Sequence, residues 1–195
     1  MATVGFKSVM IGIFDELEKI TKIHTIDAKE GGSIDLKISG LAPQLTTVYA
    51  SDSPFFVGGK GSSAPKAEIG IFDLPDECFR DVTGAELVNG MTRYTSESRP
   101  PYVSILGQME GPNNEDLYVA LAKGKLTQDS FEAKTAEDKG VEVSTDTLSG
   151  DFVARKSDKL IYTKSRSTEV SFDYKKLLAD VFPGYTFPVE EVSGS

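Results

Sequence analysis

The chain contains no tryptophan, one cysteine (Cys78) and one histidine (His24). With a single cysteine no intrachain disulfide forms, and Cys78 reads as a small buried hydrophobe. A catalytic thiol wants a histidine partner, and nothing in the sequence links Cys78 to His24. One residue of each kind does not make a zinc centre. Any Ser-His-Asp arrangement has only His24 to use, and its neighbours Lys22 to Ile26 read as an exposed turn or strand. There is no Gly-x-Ser-x-Gly. The seven tyrosines are scattered, so no clustered aromatic face for stacking sugars is visible. No apolar run approaches the roughly 20 residues that span a bilayer. Met1 to Phe14 lacks the basic start and small-residue cleavage pattern of a secretory leader, so synthesis in the cytoplasm is expected.

Positive charge is also scarce. Thirty acids against 21 bases give a formal charge of −9. Such a chain repels phosphates and lacks the basic footprint of a nucleic-acid binder. An acidic wall past which DNA slides without sticking is compatible with it. At 195 residues the chain fits one domain, able to hide about 70% of its extended surface without metals or disulfides. Hydrophobic residues at 39% and charged residues at 26% match a globular protein.

The patterning is mostly that of strands. In Ser33 to Ser39, apolar Ile34, Leu36 and Ile38 alternate with Asp35 and Lys37, bounded by Gly31-Gly32 and Gly40. Phe6 to Phe14 is apolar on both faces, Val9, Ile11 and Ile13 against Phe6, Met10 and Phe14, as in a strand covered on both sides. Further strands are expected at Thr46 to Ala50, Ala67 to Phe72, Tyr102 to Leu106, Leu117 to Lys123 and Val141 to Thr147. Phe152 to Arg155, Leu160 to Thr163 and Glu169 to Phe172 complete the set. Two helices interrupt them. Leu74 to Val82 has Pro75 in a first-turn position, acids beside it and Gly84 as a stop. Asp173 to Phe182 carries an apolar stripe of Tyr174, Leu177, Leu178 and Val181 and ends at Pro183-Gly184. Many strands and few helices predict a mainly β fold, a sandwich or barrel flanked by helix. The tail after Pro188 reads as a loose end.

Three constellations invite a chemical reading. Gly58 to Ser63, GGKGSS, has the flavour of a phosphate loop, but Lys60 is followed by glycine and Pro65 blocks a helix start. Asp15, Glu16 and Glu18, and Asn113 to Asp116, are acidic clusters without calcium-loop offsets, and read as solvated turns. No local motif marks a carboxylate pair for glycoside hydrolysis. No catalytic, cofactor-binding or metal-binding residue is therefore assigned. The stretch Ser51 to Pro65 has the composition of a flexible loop, yet carries Phe55, Phe56 and Val57, which want a cover.

The segments VGFKSVMIGIFD (Val4 to Asp15), GGSIDLKISGLAP (Gly31 to Pro43), VYAS (Val48 to Ser51), IFDLPDECF (Ile71 to Phe79), RPPYVSILG (Arg99 to Gly107), LYVALAKGK (Leu117 to Lys125) and TLSGDFVAR (Thr147 to Arg155) occur in one order. In that order and spacing the chain resembles the major tail protein, the tail-tube subunit, of long non-contractile-tailed phages, the group typified by phages of staphylococci. The resemblance is weakest at Ser51 to Lys66 and Val88 to Ser98. It implies a tail-tube β-sandwich or barrel with a flanking helix and a short C-terminal helix, and a single tail-tube domain over residues 1–195. A long loop at about 41–65 and an arm at about 183–195 belong to it, without the C-terminal immunoglobulin-like domain of some relatives. It implies a non-enzymatic virion protein whose hexameric rings stack into a tube.

The partners so implied are further copies of the chain, a tape-measure protein in the lumen, and terminator and distal tail proteins at the ends. DNA passes without specific binding, and no membrane is involved. On this reading Phe55, Phe56, Val57, Gly58, Gly59 and Lys60 form a subunit contact, and the lumen is acidic. Rival expectations are a head–tail connector, a distal tail ring, a secretion-system tube subunit, a monomeric host- or carbohydrate-binding module, or a hydrolase with dispersed carboxylates.

Overall fold

The computed structural model describes residues 2–42, 46–50, 53–58, 64–131 and 145–188, with backbone alone at 46–50 and 53–58. Its strands are β1 (Gly5–Phe14), β2 (Ile20–Ile26), β3 (Ser33–Ser39), β4 (Thr46–Ala50), β5 (Ser53–Gly58), β6 (Lys66–Ile71), β7 (Glu86–Val88), β8 (Met91–Arg93), β9 (Val103–Glu110), β10 (Asp116–Gln128), β11 (Asp146–Phe152) and β12 (Tyr162–Arg166). Two helices, α1 (Asp76–Thr83) and α2 (Tyr174–Val181), join them. The main sheet runs β2-β1-β9-β10-β11-β6-β3, with β12 also paired to β10. All of its ladders are antiparallel. The fold is mainly β, a sandwich with flanking helices.

β10 makes the sandwich. Its first half pairs with β9 on one side and β12 on the other, and its second half pairs with β11. The register with β9 shifts between Leu121 and Gly124, where the strand passes from one layer to the other. One layer is thus β2-β1-β9-β10-β12, and the other is β10-β11-β6-β3. Val9, Ile11, Val103, Ile105 and Leu121 from the first meet Ile69, Ile71, Leu126, Leu148 and Phe152 from the second. Leu74, Cys78 and Val82 of the α1 region complete this core. Ser33 Oγ donates to the Lys7 carbonyl at 3.2 Å and ties β3 to β1.

A second core lies on the outer face of the first layer. Phe14, Leu106, Tyr118 and Ala120 pack there against Leu177, Leu178, Val181 and Phe182. This is why β1 is apolar throughout: Val9 and Ile11 enter one core while Phe14, with Met10 beside it, enters the other. Phe6 departs from the expected alternation. A bulge at Lys7 shifts the register, so Phe6 joins the first core with Val9 and Ile11.

Both helices stand where the sequence places them. Asp173 caps α2, its Oδ1 accepting from Lys175 N at 2.9 Å and Lys176 N at 3.3 Å. Pro75 is the cap of α1 and not its first turn, and Gly84 ends it in the left-handed region at φ 73°. Other expectations need correcting. Phe152 ends β11, and no strand covers the rest of Phe152 to Arg155. Glu169 to Phe172 is turn, its reversal closed by Phe172 N on the Glu169 carbonyl at 2.9 Å. Within the expected loop Ser51 to Pro65, residues 53–58 form β5, paired with β4. Of the expected strand Val141 to Thr147, residues 141–144 lie outside the described residues, and β11 begins at Asp146.

Candidate assembly surface

The first layer has an unpaired edge at each end. Among the described residues β2 pairs only with β1, and β12 only with β10. The polarity of the β12 edge follows from its neighbours. Ala122 N donates to the Ile161 carbonyl and Ser167 N to the Asp116 carbonyl. Odd-numbered residues of β12 therefore turn their backbone groups to β10, and Tyr162, Lys164 and Arg166 turn theirs outward. An outward row of free N–H and C=O groups is a template for another strand. The start of β2 is closed by the hydrogen bond from Ile20 N to the Pro183 carbonyl at 2.9 Å; the remainder is an edge.

Apolar side chains also face outward. Leu87 and Met91 stand on the β7–β8 hairpin, with Tyr94 just beyond it and Phe131 at 85% exposure after β10. Tyr94 and Phe131 line a cleft of about 330 Å³ with Phe79 and Thr83 of α1. Val4 and Ile34 form a second exposed group around a smaller cleft, with Phe6 and Leu36 in its wall.

The expected contact residues fall on a separate hairpin. Phe55, Phe56, Val57 and Gly58 lie on β5, where Phe56 pairs with Val48, Val57 with Thr47 and Gly58 with Thr46. The register shifts at Phe55. The side chains of these residues, and Gly59 and Lys60 altogether, lie outside the described residues. β4 and β5 pair only with each other among the described residues.

Ion pairs fix the frame around these surfaces. Lys22 and His24 on β2 reach α1: Lys22 Nζ contacts Glu77, and Asp81 Oδ2 at 2.6 Å, while His24 Nε2 lies 2.8 Å from the same oxygen. His24 is thus a half-buried strand residue, not an exposed one, because α1 packs over it. Burial works against the Asp81 carboxylate, but hydrogen bonds from Lys22 and His24 outweigh it, and its pKa falls below the ordinary value. The acidic turns are not wholly solvated either. Glu18 binds the buried Lys123, and Glu115 is buried against Arg166. Both lie where a turn folds back onto β10 or β12, which a local sequence window does not reveal.

Cys78 is 1% exposed, and burial pushes its thiol up to about 12. It sits among core residues while His24 is committed to Asp81, so the two form no catalytic pair. Among the described residues, no three His, Cys, Asp or Glu side chains are grouped to hold a metal ion. Among them, too, no helix is long and apolar enough to cross a membrane.

A sandwich whose first layer is open at both edges, with several outward apolar groups, suits a structural assembly subunit. The family model described as phage tail tube protein matches residues 1–190, and the chain belongs to that family. A comparison with curated proteins returned no match. Membership makes the protein a structural component of a virion tail, whose subunits assemble into a tube.

Proposed function

We propose that the chain forms hexameric rings that stack into the tube of a long non-contractile tail. The observation that carries this reading is the pair of free edges at β2 and β12, at opposite ends of one layer. An edge that meets a different edge on the next copy makes a heterologous contact, which closes into a ring when the rotation between copies divides a full turn. The right-handed twist of the layer supplies curvature. Each chain then acts as a single tail-tube unit that needs no active site.

The β4–β5 hairpin is the element that reaches the neighbouring ring. A lone two-stranded hairpin is at best marginal in water, and cover from another subunit stabilises it. Phe55, Phe56 and Val57, with Gly58, Gly59 and Lys60 beside them, form that contact. The lumen is acidic, in keeping with the formal charge of −9 repeated around each ring, and it repels DNA within about 8 Å at physiological salt. The tape-measure protein fills the lumen before the genome passes, and terminator and distal tail proteins close the ends. Synthesis takes place in the host cytoplasm.

Sedimentation and negative-stain microscopy of the purified full chain test the proposal. Rings or tubes that grow with concentration are the expected result. A chain that stays monomeric across a wide range of salt and concentration refutes it.

A further inference from the structure

We propose that Asn89 is a site of spontaneous deamidation, its side-chain amide closing onto the backbone nitrogen of Gly90. Asn89 and Gly90 are the two residues between β7 and β8, and Val88 and Met91 are the pair that closes the turn. Both turn residues have positive φ, 53° and 76°, the conformation of a tight two-residue hairpin turn. Both are exposed. Gly90 has no side chain of its own to crowd its nitrogen, and a Cβ built on it meets nothing within 4 Å beyond its two chain neighbours, so the turn stands in open space. The closing hydrogen bonds of such a turn belong to its flanking pair, and no acceptor among the described residues takes the Gly90 N–H.

The reaction needs only water. Hydroxide removes the Gly90 amide proton, and the nitrogen attacks Asn89 Cγ. The N–Cγ bond forms, the Cγ–Nδ2 bond breaks, and the amide nitrogen leaves as ammonia with protons from water. Water then opens the cyclic imide at either carbonyl, giving aspartate or isoaspartate. One water enters, one ammonia leaves, and nothing is oxidised or reduced.

Of the three asparagines in the chain, the other two do not share this setting. Asn113 is followed by Asn114, and Asn114 by Glu115, so each successor carries a side chain. Asn114 sits in a turn closed by hydrogen bonds between Gly111 and both Asn114 and Glu115. Conversion at Asn89 has two local effects. It sets a negative charge beside Leu87, Met91 and Tyr94, all exposed. Isoaspartate also adds a backbone atom to a two-residue turn, which breaks the β7–β8 register.

The test is prolonged incubation of the folded full chain at mildly alkaline and mildly acidic pH, followed by trypsin and mass spectrometry. Peptide 81–93, released at Arg80 and Arg93, should show amide-to-acid conversion, faster at the higher pH and faster than at Asn113 or Asn114. Both aspartate and isoaspartate should appear, and Asn89→Gln should abolish the conversion. The proposal is overturned if Asn89 stays intact in the folded chain while the same chain in denaturant converts it. It is overturned equally if aspartate forms without any isoaspartate, since direct hydrolysis would then be the route.

Discussion

Glu18 holds a left-handed backbone conformation, with φ of 59°, although it is not a glycine. Three donors account for it: Lys123 Nζ, Lys156 N at 3.3 Å and Ser157 N at 3.3 Å. The Lys123 hydrogen bond, reinforced by those two backbone groups, holds the Glu18 carboxyl below its ordinary value against the opposing effect of burial. The folded state therefore favours the ionised form. Its contribution is complete above the usual glutamate pKa of about 4.3 and is lost as pH falls through the lower folded value. Glu18→Gln should cost about 3 kcal/mol at neutral pH, because Lys123 is left buried without its partner. It should also flatten the acid limb of the stability curve, read as the urea midpoint at successive pH values below about 5. An unchanged acid limb would assign that limb to other carboxylates. Cys78 gives a simpler expectation. Buried, and with its thiol pushed up to about 12, it should resist alkylation at mildly alkaline pH until the chain is unfolded; rapid labelling of native protein would contradict the packing around α1.

At the scale of elements, α2 depends on its cap and on one face. Asp173→Ala removes an acceptor shared by two backbone N–H groups and should lower stability by about 1 kcal/mol in denaturant titration. A loss within error would mean that packing on Tyr118 and Phe182 alone sets the helix. The stripe of α2 and its stop at Pro183-Gly184 were legible in the sequence, because helical spacing and helix breakers act within a few residues. Strands with clean punctuation, such as β3, were legible for the same reason. β2 was read only in part, since Lys22 and His24 look solvent-facing until α1 is laid over them. The turn at Glu169 to Phe172 mimics a strand in composition, but Phe172 is spent on stacking against Tyr118 at 5.3 Å. The β7–β8 hairpin carries a strong turn signal at Asn89-Gly90, but its strands, three residues each, are too short to show a period. The assembly surface was the least legible feature. A free edge depends on which strands pair, and long-range pairing leaves no local mark.

For the whole molecule, the proposed ring contact can be broken without touching the core. Lys164 turns its N–H away from β10, so proline there removes an outward donor and no ladder bond within the subunit. Lys164→Pro should keep the circular dichroism and melting behaviour of the parent while ring formation falls away under the microscope. Lys164→Ala, which shortens the side chain but keeps the backbone N–H, should still assemble. Normal rings from the proline variant would exclude β12 as a joining edge. The β4–β5 hairpin has its own test. Phe55→Ser combined with Phe56→Ser should leave the subunit folded and stop stacking into tubes. Unfolding of the double variant would place the phenylalanines in the subunit's own core, and normal tubes would remove the hairpin from assembly.

The separation of β1 from its second partner has a consequence in time. β1 ends at Phe14 and β9 begins at Val103, so nearly ninety residues must be made before the ladder between them can form. At translation speeds of about 5–20 residues per second, β1 waits on the order of ten seconds with β2 as its one ladder partner among the described strands. β12, which offers one of the two proposed joining edges, is the last strand among the described residues. A nascent chain therefore lacks one of those two joining edges. On that proposal, a chain whose synthesis has not reached β12 cannot complete both joints of a ring.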